Sequence, residues 1–174
     1  MSTLFSSVNP EAVSKIRLHV ETNSQTIDSI VAEIIEPYIR DLDNYVQFVS
    51  DCLKDGNNPP SDQELEDFCM NLAAYIYWAG GGQEQLGIRD DISNAVYKEA
   101  FNSARDETKG TVQDKNSRAE IASQQEQLVS ICYSRAFKTM KSKVENAQEL
   151  MSSCKKVLTR RTNEYIMTKQ SIGT

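Results

Sequence analysis

From Ser117 to Ile172 the chain contains neither glycine nor proline. Within that run Tyr133, Phe137, Met140, Val144, Ala147, Met151, Cys154, Leu158, Arg161 and Tyr165 follow one another in alternating steps of four and three. This is the heptad spacing of a helix that buries one narrow seam, and a strict seven-residue period favours a left-handed coil. A helix over residues 117–169, roughly 50 residues long, would extend about 75 Å at 1.5 Å per residue, whereas about 20 residues already span a small domain. Such a helix needs cover along its whole length, and self-association through the seam, up to a ring of subunits, is the expected source. Bulky seam residues such as Tyr133, Phe137, Met140 and Met151 fit a bundle with the chain's own Ile27–Leu53 helix, or a ring, better than a two-stranded zipper.

The same stretch concentrates positive charge. Residues 134–174 carry 9 Lys and Arg against 3 Asp and Glu, a net of +6, while residues 1–133 carry 10 against 22, a net of −12. Off the seam, Arg135, Lys138 and Lys141 step by threes, and Lys155, Lys156 and Arg160 form a second group beside Arg161. A cationic strip of this kind can follow a phosphate backbone, and Tyr133, Phe137 and Tyr165 lie near enough to stack unpaired bases. The overall charge of −6 argues against indiscriminate binding of nucleic acid over the whole surface.

With only 7 Gly and 4 Pro and no sustained alternation of β-branched residues, the chain reads as a single all-α domain, a helical bundle over 1–174. Residues 1–25 form an N-terminal arm whose helix starts at Asn9-Pro10-Glu11, with a thin apolar stripe at Val13, Ile16 and Val20. Ile27, Val31, Ile34, Tyr38, Leu42, Tyr45, Val49 and Cys52 make one face of a first strong helix, with a kink or break expected at Pro37. A linker covers 55–61, and Ser61-x-x-Glu64 is a capping box opening a short second helix through Leu65, Phe68 and Leu72. Gly80-Gly81-Gly82 should end that helix in a loop over 80–89 that lacks the residues of a phosphate-binding loop. A third short helix follows over 90–106, then a polar junction over 107–116, with Ser117-x-x-Glu120 as the cap of the long helix.

No leader is expected in Met1–Pro10 and no apolar run reaches membrane-spanning length, so a soluble cytoplasmic protein without a membrane partner is anticipated. Cys52, Cys69, Cys132 and Cys154 fall on or beside apolar stripes and read as buried reduced thiols. His19 is the sole histidine, and no nucleophile, base and orienting group stand at recognisable spacing. No enzyme, metal or cofactor is expected. An acidic group, Asp41, Asp43, Asp51, Asp55, Asp62, Glu64, Glu66 and Asp67, reads as a solvated face.

The junction Lys109-Gly110-Thr111-Val112, then Ser117-Arg118-Ala119-Glu120, then the ending Tyr133-Ser-Arg-Ala-Phe137-Lys-Thr-Met140-Lys with Cys154-Lys155-Lys156-Val157-Leu158-Thr-Arg160-Arg161, resembles the UvsY-like recombination mediators of phages over residues 100–162. The resemblance implies a ring-forming accessory that binds single-stranded DNA and helps load a recombinase onto strands coated with single-strand-binding protein. Arg135, Lys138, Lys141, Lys155, Lys156, Arg160 and Arg161 would then hold phosphates. Two other roles fit the same composition. One is a phage structural or scaffold protein that needs the seam and not the charge, and the other is an acidic inhibitor of a DNA-binding host protein acting through Asp41–Asp67.

Overall fold

The computed structural model describes the backbone of residues 10–172, with side chains from Ser14 to Lys169 except Ile16 and His19. The Asn9 cap, the first nine residues and the side chains of Val13, Ile16 and His19 lie outside the described residues. The described chain is all-α: α1 (Pro10–Lys54), α2 (Asp62–Glu107), α3 (Val112–Ala122) and α4 (Gln124–Ile172). Among the described residues no helix is long and apolar enough to cross a membrane.

α1, α2 and α4 form an elongated three-helix bundle. Tyr38 meets Gly82, Tyr45 meets Tyr75 and Phe48 meets Phe68, so α1 and α2 run antiparallel. Asp62 meets Arg161, Cys69 meets Met151 and Gly87 meets Phe137, so α4 returns antiparallel to α2 and parallel to α1. The core is a stripe from each helix: Val31, Ile35, Ile39, Leu42 and Val49 of α1, Leu65, Phe68, Leu72, Ala79 and Leu86 of α2, and Ala136, Met140, Val144, Ala147 and Cys154 of α4. Alanines at 79, 136 and 147, each 0–1% exposed, let backbones approach while Leu, Met and Val fill the layers between them.

Three expectations are corrected here. Gly80-Gly81-Gly82 does not stop a helix. The two short middle helices are one helix of 46 residues, and there is no loop over 80–89. Each helical glycine costs about 1 kcal/mol relative to alanine, so tertiary packing overrides propensity at this point. At Gly82 the reason is visible, because a Cβ built there would lie 2.6–2.7 Å from Tyr38 Cδ1, Cβ and Cγ. Gly80 and Gly81 face open space, and nothing in the structure explains them. The second correction follows from the first. With α2 nearly as long as the 49-residue α4, the seam is covered inside the chain.

The third concerns boundaries. α1 passes Pro37 as one uninterrupted helix of 45 residues, which excludes a break. Pro37 lies on the exposed side, where a carbonyl left without its helical donor can bond water. The last helical run begins at Val112 rather than at Ser117. Its cap is Thr111, and Asp114 completes the capping box in place of Ser117 and Glu120. Gly110, at φ +137°, makes the reversal before it in a conformation that a Cβ disfavours. Ser123 then separates α3 from α4, although its N–H and its Oγ both donate to the Ala119 carbonyl and its own carbonyl accepts from Gln127.

Both capping boxes are titratable. Ser61 Oγ and N each donate to Glu64 at 2.7 Å, and Thr111 Oγ1 and N donate to Asp114 at 2.7 and 3.2 Å. These bonds, the side-chain one foremost, hold both carboxyls below their ordinary range. A carboxyl depressed in the folded state stabilises it above the unfolded pKa of about 4 and loses that contribution as pH falls through the folded value. An NMR acid titration should therefore show the Ser61 and Thr111 amides moving below the ordinary carboxyl range.

Candidate nucleic-acid interface

α4 turns one face to the core and the opposite face to solvent. Lys138 and Lys156, eighteen residues apart, stand on the outward side five helical turns from each other, about 27 Å along the axis. Lys155 and Arg160 are exposed beside Lys156, and Arg135 and Lys141 flank Lys138. Lys138, Lys155 and Lys156 have no ion pair among the described residues. The others hold exposed partners at long range: Arg135 with Asp28 at 3.5 Å, Lys141 with Glu145 at 3.9 Å and Arg160 with Glu164 at 3.8 Å. Exposed pairs of this length are worth little and exchange readily for another anion. Glu145 and Glu149, both exposed, separate the strip into two cationic clusters. The second cluster borders a shallow depression of about 560 Å³ lined by Lys155, Lys156, Arg160 and Asn163.

Arg161 departs from the predicted phosphate set. It sits on the inward shoulder of α4, 31% exposed, and its Nη1 donates to the Pro60 carbonyl at 2.7 Å and to Asp62 at 3.0 Å. This guanidinium ties α4 to the α1–α2 turn. Lys143, likewise on the inward shoulder, is paired with Asp43 of α1. The heptad arithmetic signalled this, since Arg161 occupies a seam position.

The predicted self-association seam lies inside the bundle. Met140, Val144, Ala147 and Cys154 are buried in the core, and Tyr133, Phe137, Met151 and Leu158 pack half-buried against it. A second copy reaches that face only if the bundle opens. Tyr133 and Phe137 are therefore occupied as packing groups and are not free platforms for bases. Tyr165 is 61% exposed, with the Lys169 ammonium 4.7 Å from its ring centroid, and remains available for stacking.

All four cysteines are free, Cys132 and Cys154 buried and Cys52 and Cys69 half-buried. Burial, reinforced by the neighbouring Cys69, raises the Cys154 thiol, and burial likewise raises Cys69. Raised thiols are poor nucleophiles, which suits packing groups. The acidic stretch is partly structural: Asp43 and Asp62 hold the two inward cations, and Glu64 closes a cap.

One exposed feature has no place in the sequence-level expectations. Tyr77 and Trp78 are 77% and 75% exposed, with their rings edge to face at 5.8 Å. Trp78 walls a cleft of about 820 Å³ between α1 and α2 with Glu36, Pro37, Arg40 and Asp41. Its signal was available: positions 77 and 78 fall off the stripe of Leu65, Phe68, Leu72 and Ala79, so large aromatics there have no core to enter. Comparison with protein-family models, with curated proteins and with solved structures finds no match to this chain.

Proposed function

We propose that this chain is a non-enzymatic, cytoplasmic accessory of DNA recombination that self-associates and holds single-stranded DNA along the outward face of α4, in the manner of phage mediators that help load a recombinase onto strands coated with single-strand-binding protein. The observation that supports it is the sorting of charge on α4. Arg161 and Lys143 are tied into the bundle, while Lys138 and Lys156 stand outward and Lys155 is exposed on the shoulder toward Cys69 of α2. All three are without a carboxylate partner among the described residues, and Arg160 is exposed with only a long pair to Glu164. Lysines and an arginine in that arrangement contact phosphates without reading sequence, as a loading factor requires. The purely structural role is less well supported, because the seam it depends on is covered within the chain.

The test is single-stranded oligonucleotide binding as a function of salt. Each phosphate contact contributes about −0.7 to the slope of log K against log salt on single strands, so replacing Lys138, Lys155, Lys156 and Arg160 with glutamine should remove up to about 3 from that slope and most of the affinity at low salt. Arg161→Gln should leave the slope unchanged. Absence of measurable binding by the unaltered protein at low salt would overturn the proposal.

A further inference from the structure

α1 leaves the bundle before it ends. From Ser14 to Ile30 no described side chain of α1 is buried, Leu18 and Val20 are 65% and 60% exposed, and among the described residues α1 makes no contact with α3. Yet the stripe that is buried from Val31 onward continues at helical spacing through Ile27, half-buried against the core, to the exposed Val20. The groove that α1 fills lower down also continues. Between α2 and α4 it opens into a channel of about 490 Å³ lined by Ile92, Val96, Val129 and Tyr133, with Ile92, Val96 and Val129 58%, 48% and 50% exposed. The chain thus carries an exposed apolar arm residue without a groove, Val20, and an apolar groove without a helix.

The charges match as well. The groove walls carry Arg89 and Glu126, and one Glu126 carboxylate oxygen is buried with no hydrogen-bond partner. The arm carries Arg17 and Glu21, one helical turn apart beside Val20. None of these four has an ion pair among the described residues. The chain's own arm is the continuation of an unbroken helix whose described side chains stay exposed and which makes no contact with α3, so as it stands it leaves its own groove unfilled. A second copy meets no such constraint.

We infer that two copies of this chain exchange arms, the α1 segment Pro10–Thr26 of each lying in the α2–α4 groove of the other, with Val20 entering the apolar channel and Arg17 reaching Glu126. This rests on the proposed function only in giving its self-association an interface. Self-association is measured without DNA, so its failure leaves oligonucleotide binding standing, and loss of oligonucleotide binding leaves the dimer standing.

Sedimentation velocity across the micromolar range tests it. The unaltered protein should sediment as a dimer. Val20→Asp, Arg17→Glu and Glu126→Arg should each weaken the dimer by about tenfold or more, with helicity retained because the altered side chains lie outside the core. The decisive sample is an equimolar mixture of the Arg17→Glu and Glu126→Arg proteins. Each alone carries repelling arm and groove, whereas in the mixed dimer both arm–groove contacts join opposite charges, so dimers should return. A monomer at all concentrations, a dimer indifferent to Val20→Asp and Glu126→Arg, or a mixture that stays monomeric would overturn the inference.

Discussion

Val144→Asp is expected to unfold the chain rather than to separate subunits. Val144 is 7% exposed and lies in the core stripe of α4 between Met140 and Ala147, both fully buried. A carboxylate placed there has no cation facing it, since Lys143 is engaged with Asp43 on the neighbouring shoulder. An uncompensated buried charge costs about 3–5 kcal/mol, against total stabilities of about 5–15 kcal/mol for domains of this kind. Chemical denaturation followed by circular dichroism should show the midpoint collapsing, with loss of helix at every protein concentration. If the variant kept its helicity and stability and only its mass changed, the seam would be an interface between chains. Leu158, half-buried near the end of the same stripe, should show a smaller loss on the same substitution.

The second large effect separates adjacent glycines. Gly82→Ala should destabilise by about 1–3 kcal/mol, the usual cost of forcing atoms into a packed site. The Tyr38 atoms in the way include its Cβ, which moves only if the α1 backbone moves with it. Gly80→Ala and Gly81→Ala, which meet nothing within 4 Å, should instead stabilise by about 0.5–1 kcal/mol each by removing the glycine penalty in a helix. Three denaturation midpoints, two rising and one falling, check this. A fall at all three would mean that positions 80 and 81 are also closely approached, against the open space around them in the structure.

The contrast at these glycines also marks how far the sequence could be read. Apolar periodicity identified the core-facing side of α1 and α4, where Val31, Leu42 and Val49 and Met140, Val144, Ala147 and Cys154 are buried, but it did not include the buried Ile35, Ile39 and Ala136. Ser61-Glu64 gave the start of α2 correctly. Both signals are local. The triple glycine was misread because its penalty is local while its compensation, the Tyr38 ring, lies 44 positions away in the chain. A helix stopped at Gly80 shortens α2 and leaves α4 without a partner of matching length, which favours burial of the seam between chains over the bundle with the chain's own Ile27–Leu53 helix that the structure shows in part. Thr111 and Asp114 were passed over because the box was sought as Ser or Thr with Glu. In the candidate site, six of the seven predicted phosphate contacts stand exposed, and the seventh, Arg161, was distinguishable by its seam register. The exposure of Trp78 is legible only once α2 is one continuous helix, because positions 77 and 78 then fall off the stripe of Leu65, Phe68, Leu72 and Ala79.

Arg161 does more than leave the cationic strip. It anchors α4 to the α1–α2 turn, and the helix continues past it to Ile172 with every side chain described from Thr162 to Lys169 exposed. Beyond that clasp none of these described side chains is buried, and helical ends with little packing open frequently. Amide deuterium uptake should accordingly rise as a step after Arg161 instead of a gradual slope. Arg161→Ala should move that step toward Leu158, the next residue held by the core, while leaving the middle of α4 as slow to exchange as before.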